Sequence, residues 1–209
     1  MWSIVVAAGG GKRFGGEKQF AHLCDDVTVA DRAVSRARAA TDGVVVVVPG
    51  GSPWRVPEGA VAAVGGATRS DSVRAGLELV PPAAEIVVVH DAARPLASRA
   101  LFDAVVGAVR GGADAAVPVL PVVDTLKRVD GGRVVATVPR DGLWAAQTPQ
   151  AFRADVLRRV HLAGRSGTDD AALVEAAGGT VVVVRGEPAN VKITVEDDLA
   201  FVRRLAAAR

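Results

Sequence analysis

A basic, glycine-rich loop near the start of the chain has the composition of a phosphate-binding site. The apolar run Ile4 to Ala8 passes directly into the segment Gly9 to Gln19, which reads GGGKRFGGEKQ. Glycines let backbone N–H groups approach a ligand closely, and the cations Lys12, Arg13 and Lys18 supply the charge that a polyphosphate needs. The loop therefore indicates a binding site for a nucleoside triphosphate. The alternative is an ordinary tight turn with solvated cations.

Two common phosphate-binding motifs do not fit this loop. A P-loop requires Ser or Thr after Gly-Lys, whereas Arg13 follows Gly11-Lys12, and Val6 stands where its first glycine would be. A dinucleotide-binding fingerprint that starts at Gly9 has Phe14 in place of its third glycine. The loop belongs to another class of phosphate site.

A second stretch contains residues that could bind a metal or a ligand. It is His90-Asp91-Ala92-Ala93-Arg94-Pro95, which follows an apolar run. If that run is a strand, Asp91 lies at the carboxyl end of a sheet, where open α/β sheets bind ligands. A carboxylate there can share Mg²⁺ with phosphate oxygens. The alternative is that Asp91 caps a turn and Arg94 is a surface charge.

Two further segments carry candidate residues. The glycine turn Gly65-Gly66 leads into a segment rich in hydroxyls that could recognise a base, or that could simply cap a helix with Thr68 or Ser70. Asn190 to Thr194 predicts a short apolar strand carrying Lys192, which either reaches into a site or lies at a solvated sheet edge. Lysine is scarce in this chain, which has 21 Arg but only Lys12, Lys18, Lys127 and Lys192.

Composition limits the class of protein. A chain of 209 residues, half of them apolar, can bury a full core and predicts one domain, residues 1–209. The formal net charge of +2 and the lack of Tyr argue against a nucleic-acid partner and favour a small ligand. Cys24 is the only cysteine, which excludes an intramolecular disulfide. The first apolar run is short, so we expect a cytoplasmic protein without a membrane partner.

The elements that position these residues follow an alternating pattern. Apolar runs typical of strands buried on both faces occur at Ile4 to Ala8, Val44 to Val48, Glu85 to Val89, Ala113 to Val119 and Thr180 to Val184. Helical patterns occupy Val29 to Ala40, Ser70 to Leu79, Ser98 to Arg110, Gln150 to Ala163, Asp169 to Ala177 and Val195 to Ala207, with Thr168 and Thr194 as predicted caps. This alternation predicts an α/β fold with a doubly wound, mostly parallel sheet.

The segment 121–147 interrupts the alternation. Two half-apolar stretches flank Gly131-Gly132, which is a β-hairpin signature. We expect a projecting β-arm that packs on a second subunit, although packing on its own domain is also compatible with the pattern.

In type and order, these blocks resemble the 2-C-methyl-D-erythritol 4-phosphate cytidylyltransferases of the non-mevalonate isoprenoid pathway over most of the chain. The motifs are Ala7 to Arg13 with Lys18-Gln19, Gly65-Gly66 with Arg69 and Ser72-Val73, His90 to Pro95, Asp124 to Lys127, Leu143-Trp144, Thr148-Pro149-Gln150 with Phe152, Thr168-Asp169-Asp170, and Asn190 to Thr194. Each block alone is weak, but together they are specific. The family commonly has a longer loop with proline before the lysine, where this chain has Gly15-Gly16-Glu17.

The resemblance implies a Rossmann-like nucleotidyltransferase that transfers CMP from CTP to the sugar-alcohol phosphate, releases pyrophosphate, requires Mg²⁺ and forms a homodimer. It implies that Arg13, Lys18 and Lys192 are the catalytic cations and that Asp91 is the metal ligand. The implied nucleotide-binding residues are Ala7, Ala8, Gly9, Gly11, Lys18, Gly66, Ser72 and Ala92. The implied acceptor-binding residues are Asp91, Arg94, Thr148, Thr168 and Lys192, with Thr125 and Arg140 reaching in from the arm of a partner subunit.

Two other functions share these features. A ribitol-5-phosphate cytidylyltransferase has the nucleotide half of the motifs and differs on the acceptor side. A catalytically silent nucleotide-binding protein of the same fold would bind CTP without transferring it.

Overall fold

An eight-stranded sheet forms the centre of the protein in the computed structural model, which describes residues 1–11, 13–164, 167 and 169–207. The described strands are β1 (Trp2–Val6), β2 (His22–Cys24), β3 (Val27–Thr28), β4 (Gly43–Val48), β5 (Ala60–Val64), β6 (Ile86–Asp91), β7 (Ala115–Pro121), β8 (Leu126–Asp130), β9 (Arg133–Val138), β10 (Trp144–Ala146), β11 (Gln150–Arg153) and β12 (Val181–Arg185). The described helices are α1 (Val29–Ala40), α2 (Arg69–Glu78), α3 (Arg99–Arg110), α4 (Ala154–Leu162), α5 (Asp170–Ala176) and α6 (Glu196–Ala207), and a short 3₁₀ helix covers Lys18–Phe20.

The sheet is mostly parallel and its strand order changes direction at β1. The order is β10-β7-β11-β6-β1-β4-β5, and β12 also pairs with β7. β1, β4, β5 and β6 run parallel, β12 runs parallel to β7, and β10 and β11 are antiparallel to their neighbours. The chain thus builds outward from β1 first on one side and then on the other, which confirms the predicted doubly wound α/β fold.

Both faces of the sheet are covered, which explains why its strands are continuously apolar. Ile4 packs in one core layer, with α2, α4 and α5, and its neighbour Val5 packs in the opposite layer, with α1 and α3. Successive side chains of a strand point to opposite faces, so a strand with two buried faces needs an apolar residue at every position.

Strand pairing brings two of the predicted functional segments together. β1 and β6 are parallel neighbours in a register that pairs Val6 with Asp91. The glycine-rich loop leaves β1 at this same edge, and Asp91 is the last residue of β6 rather than the residue after a strand. The carboxyl ends of these strands therefore set the loop and the carboxylate side by side.

One predicted helix is wrong at its start. The pattern predicted a helix from Gln150 to Ala163, but Gln150–Arg153 forms β11, an antiparallel strand between β6 and β7, and α4 begins at Ala154. Ala151 and Phe152 are fully buried there. The space between two parallel strands is filled by β11, and this tertiary demand overrides the local helical pattern.

The predicted strand around Lys192 is also wrong. Residues 190–194 have no regular secondary structure. The segment is held instead by single contacts, among them a hydrogen bond of 2.9 Å from the Ile193 N–H to the Ala93 carbonyl, and by burial of the Ile193 side chain.

Two predicted helix caps differ from those observed. The N-cap of α5 is Asp169, whose side chain accepts a hydrogen bond of 2.9 Å from the Ala172 N–H, and the predicted cap Thr168 lies outside the described residues. Before α6, the Thr194 hydroxyl donates to the Lys192 carbonyl. The Asp198 carboxylate accepts from the Thr194 and Val195 N–H groups instead.

The predicted arm is a hairpin that is shorter than 121–147. β8 and β9 pair around a turn at Gly131 and Gly132, both with positive φ, of 51° and 77°. β10, which lies inside the predicted arm, pairs instead with β7 in the main sheet. The hairpin exposes the apolar side chains of Val129, Val134 and Val135.

None of the helices within the described ranges is long and apolar enough to cross a membrane.

Phe152 provides a test of the role of β11. We expect Phe152→Ala to lower the free energy of unfolding by about 3–5 kcal/mol, because it leaves a cavity in the core. Chemical denaturation measures this loss. Val183→Ala on the edge strand β12, where Val183 is 67% exposed, is the control and should change stability by less than about 0.5 kcal/mol. A loss no larger than the control's would mean that β11 does not close the sheet.

Candidate active site

A cavity of about 420 Å³ lies at the carboxyl edge of the sheet. This volume is within the usual range for small-molecule sites. The predicted site residues among those that line it are Ala7, Ala8, Gly9, Gly11, Arg13, Lys18, Gly66, Ser72, Asp91 and Lys192. The fold therefore brings together the segments of Ala7 and Lys192, which lie near opposite ends of the sequence.

The glycine-rich loop folds back on itself through Gly11. Its φ is +58°, and a Cβ added there would lie 1.7 Å from the Gly16 carbonyl oxygen. The Gly11 carbonyl accepts hydrogen bonds from the N–H groups of Phe14, at 2.8 Å, and Gly15, at 3.1 Å. Only glycine fits this turn, which returns the chain to the cavity so that Lys18 lines it.

Lys18 begins the 3₁₀ helix and is half-buried. Burial lowers the pKa of its ammonium, and repulsion from Lys192 and Arg13 lowers that pKa further, against the attraction of Asp91. Several cations thus converge on one small volume, which is the electrostatic arrangement expected of a polyphosphate site.

The second glycine turn is held by Ser72 and Thr68. The Ser72 hydroxyl donates to the Thr68 carbonyl at 3.0 Å and accepts from the Gly66 N–H at 3.2 Å. Thr68 is the N-cap of α2 in a capping box with Asp71. Ser72 therefore fixes the shape of the turn beside the cavity, and the polar groups of Thr68 stabilise the start of the helix.

Asp91 lies between two cations. Its Oδ2 accepts from Lys192 Nζ at 2.6 Å, and its Oδ1 accepts from Arg69 Nε at 3.3 Å. Burial alone would raise the pKa of Asp91, but the charges of Arg69 and Lys192 outweigh it and hold that pKa well below its usual range. Asp91 is thus ionised, and it is the only acid among the described residues that line the cavity.

Arg69 lines the cavity but was assigned no role from the sequence. Besides Asp91, it binds the fully buried Asp170 through Nη1 at 2.6 Å. His161 Nε2 lies 2.9 Å from the other Asp170 oxygen, and because a carboxylate can only accept, Nε2 carries the proton. Burial alone would lower the pKa of Arg69, but the charges of Asp170 and Asp91 outweigh it and raise that pKa. The sequence feature that could have marked Arg69 as functional is its place at the first position of a helix, where the helix dipole disfavours a cation.

Thr148 supports the site from behind. Its Oγ1 accepts the Asp91 N–H at 3.0 Å and lies 3.1 Å from His90 Nδ1. His90 Nε2 lies 3.1 Å from the Arg94 carbonyl, which can only accept, so Nε2 is protonated and Nδ1 accepts from Thr148. Burial lowers the pKa of His90 to about 4, so the imidazole is neutral at pH 7. Thr148 fixes the backbone at Asp91 and lies outside the cavity lining.

Four more of the predicted residues lie outside that lining, and a fifth is not described. Ala92 is fully buried, and its N–H donates to the Val6 carbonyl at 3.0 Å. Arg94 donates to the carbonyls of Asn190 and Ala146. Thr125 and Arg140 are exposed next to the hairpin, where Arg140 donates to the Val123 carbonyl. Thr168 lies outside the described residues.

Comparison with known proteins identifies the family of the chain. A family model described as 2-C-methyl-D-erythritol 4-phosphate cytidylyltransferase (IspD) matches residues 1–206. The solved structure of the 2-C-methyl-D-erythritol 4-phosphate cytidylyltransferase from Thermus thermophilus has a TM-score of 0.86 and 38% identity, with 98% of each chain covered.

Similar curated proteins include enzymes with one activity and enzymes with two. The 2-C-methyl-D-erythritol 4-phosphate cytidylyltransferase of Nocardia farcinica is 44% identical over 221 residues, which cover 99% of this chain and 94% of that protein. The bifunctional enzyme IspD/IspF of Rhodospirillum rubrum is also 44% identical and covers 97% of this chain, but the match takes up only 56% of its length. The chain thus spans about half the length of such bifunctional relatives. The match over nearly every residue confirms the resemblance seen in the motifs: this chain belongs to the 2-C-methyl-D-erythritol 4-phosphate cytidylyltransferase family.

Proposed function

We propose that this protein transfers the cytidylyl group of CTP to 2-C-methyl-D-erythritol 4-phosphate and releases pyrophosphate. The observation that carries the proposal is the convergence of Arg13, Lys18, Arg69 and Lys192 with one carboxylate, Asp91, on a glycine-lined cavity. This combination suits a ligand with several phosphates better than it suits a neutral metabolite.

The cavity offers separate places for the parts of CTP. The triphosphate lies against Gly9 to Gly11, whose backbone it can approach closely, and beside Arg13 and Lys18. The cytosine and ribose lie toward the second glycine turn, where a Cβ on Gly66 would come within 2.3 Å of the Asp71 Cβ. The rigid turn offers backbone groups for recognising the base.

The reaction is an in-line displacement at phosphorus. An oxygen of the acceptor phosphate forms a bond to the α-phosphorus of CTP, and the bond from that phosphorus to the bridging oxygen breaks, so pyrophosphate leaves with the electron pair. The acceptor phosphate has a second pKa of about 6 and is already mostly dianionic at neutral pH. A general base is therefore not needed, which agrees with the use of His90 as a neutral structural group.

The cations provide the catalysis. An anion must approach a polyanion, so Lys18 and Arg13 offset the repulsion and stabilise the charge that develops on the α-phosphate oxygens. Lys192 orients the acceptor phosphate in the same cavity. Asp91 holds Lys192 in place at 2.6 Å, and Arg69 binds the other oxygen of Asp91 at 3.3 Å.

Asp91 is also the residue that would hold Mg²⁺. Each of its carboxylate oxygens accepts one hydrogen bond and retains a lone pair, and its lowered pKa keeps it ionised. The described residues contain no cluster of three or more His, Cys, Asp or Glu that could bind a metal alone. One carboxylate plus phosphate oxygens and water is a ligand set that suits Mg²⁺. When bound, the ion would neutralise charge on the triphosphate and on the leaving pyrophosphate.

The acceptor site is completed by a second copy of the chain, which makes the enzyme a homodimer. Thr125 and Arg140 lie next to a hairpin that exposes Val129, Val134 and Val135 to solvent in the single chain. Exposed apolar side chains on a projecting element favour burial against a partner. In this arrangement each acceptor site combines Lys192 of one copy with Arg140 of the other.

The activity is tested by measuring pyrophosphate release from CTP with different acceptors. We expect turnover with 2-C-methyl-D-erythritol 4-phosphate and Mg²⁺, and loss of that turnover when EDTA removes the metal. Faster release with ribitol 5-phosphate would assign the chain to the related activity. Binding of CTP without release for any acceptor would indicate a nucleotide-binding protein.

Lys18→Ala should lower kcat by a factor of about 10²–10³, the scale for loss of one preorganised electrostatic group. The thermal midpoint should stay close to that of the wild type because Lys18 is only half-buried. Arg159→Ala, which removes a cation on α4 that does not line the cavity, is the control and should keep full activity. Near-normal turnover of the Lys18 variant would exclude this residue from the mechanism.

The shared site is tested by mixing two inactive variants, Lys18→Ala and Arg140→Ala. Random reassembly makes half of the dimers mixed, and each mixed dimer has one intact site, so about one quarter of wild-type activity should return. The measurement is pyrophosphate release after co-refolding at equal concentrations. If no activity returns although mixed dimers form, the site is not shared between subunits.

A further inference from the structure

We propose that Trp54 is a positioning residue that holds the catalytic Lys18 at the cavity. Trp54 lies on the loop of residues 49–59 between β4 and β5, here called the Trp54 loop. Its role is inferred from contacts that join this loop to the 3₁₀ helix of Lys18. The inference rests on the proposed function for its kinetic consequence, but not for its structural one.

The turn that carries Lys18 has little stability of its own. It has three residues, and its N-cap, Glu17, makes no side-chain capping hydrogen bond. The backbone hydrogen bonds of the helix itself are short-range, from the Lys18 N–H to the Gly16 carbonyl and from the Phe20 N–H to the Glu17 carbonyl. The Ala21 carbonyl that follows accepts from the Val29 N–H of α1 at 3.0 Å. Short 3₁₀ segments have poor hydrogen-bond geometry, and the glycines at 15 and 16 precede this one closely, so local bonds alone do not fix its position.

The charges around Lys18 also favour movement of this turn away from the cavity, so the turn needs a contact from elsewhere in the fold. Lys18 is partly desolvated and is repelled by Lys192 and Arg13, which together lower its pKa, while Asp91 and Asp198 attract it. An ammonium on a flexible stem in such a place gains hydration by moving outward. Something other than the local charge must keep the turn against the cavity.

The stack of Phe20 on Trp54 provides this support. Phe20 is the last residue of the 3₁₀ helix, two positions after Lys18. Its ring lies 5.5 Å from that of Trp54, centroid to centroid, with an interplanar angle of 24°. Both rings pack against the core layer that contains α1. The stack thus joins the turn of Lys18 to the Trp54 loop and to the core.

Trp54 is itself fixed to a rigid element. Its indole Nε1–H donates to Asp31 Oδ1 at 3.2 Å. The other oxygen, Oδ2, closes the capping box of α1 by accepting from the Thr28 N–H at 2.9 Å. Asp31 thus serves the helix with one oxygen and the tryptophan with the other. A continuous series of contacts runs from α1 through Asp31, Trp54 and Phe20 to the turn of Lys18.

The kinetic test compares two substitutions of Trp54. Trp54→Ala removes the stack and should lower kcat by about 10- to 100-fold, the effect expected when a catalytic group moves by about 1 Å. Its KM for CTP should change much less, since the glycine loop and the second turn remain. Trp54→Phe keeps a ring and should restore most of the activity. Val56→Ala, on the same loop and packed on the same core layer, is the control and should keep normal kcat.

A double-mutant cycle shows whether Trp54 acts through Lys18. In a Lys18→Ala background, adding Trp54→Ala should change kcat by less than about twofold, because residues that act as a unit are not additive. An equal loss in both backgrounds would overturn the proposal, and so would normal kcat in Trp54→Ala.

A second readout needs no substrate and therefore stands even if the proposed reaction is wrong. The chain has only four lysines, so ¹³C-methylation gives a spectrum with few signals, and Lys18→Arg identifies that of Lys18. Because burial lowers the pKa of Lys18, Trp54→Ala should let it rise toward 10.5, whereas Val56→Ala should not. An unchanged Lys18 titration in folded Trp54→Ala would show that the stack does not position Lys18.

Discussion

The candidate active site depends on the balance of charge around Asp91. Four cations, Arg13, Lys18, Arg69 and Lys192, line one small cavity, and Asp91 is the only acid among the described residues that line it. The Asp91 carboxylate attracts Lys192 and Arg69 directly, which keeps two of the four close together before any anion binds. The cost of burying this carboxylate is offset by the same two cations. Asp91 thus partly neutralises the cations of the site, and their remaining positive charge is available for an anionic ligand.

Much of this arrangement is predictable from sequence because it is encoded in local patterns. Uninterrupted valine runs identify doubly buried strands, and the sites at their carboxyl ends follow from sheet topology. Gly11 and Asp91 could be singled out because backbone freedom and a carboxylate at a strand end each have a recognisable signature. The turn at Gly131 and Gly132 has the same kind of local signal, and in the structure it joins the two strands of a β-hairpin.

The features that were not predictable depend on contacts between distant segments. Gln150–Arg153 looks helical, but it becomes a strand because the gap between β6 and β7 must be filled. Lys192 was expected on a strand, whereas isolated contacts to Ala93 and Asp91 hold its segment. The importance of Arg69 depends on Asp170, which lies 101 residues away. Thr148, which the resemblance assigns to the acceptor, forms hydrogen bonds through its hydroxyl to His90 and to the Asp91 backbone.

The antiparallel strand β11 divides the sheet into two parallel blocks. The first block, made of β1, β4, β5 and β6, contributes the residues placed around CTP, together with Asp91. The second block, β7 with β12, connects to the segments that carry Arg140 and Lys192, which are assigned to the acceptor. A strand that runs against both neighbours forms a seam between them, across which the two halves can diverge separately. A change in the segments that follow β7 and β12 can therefore leave the register of β1 with β6 intact, although both blocks belong to a single sheet.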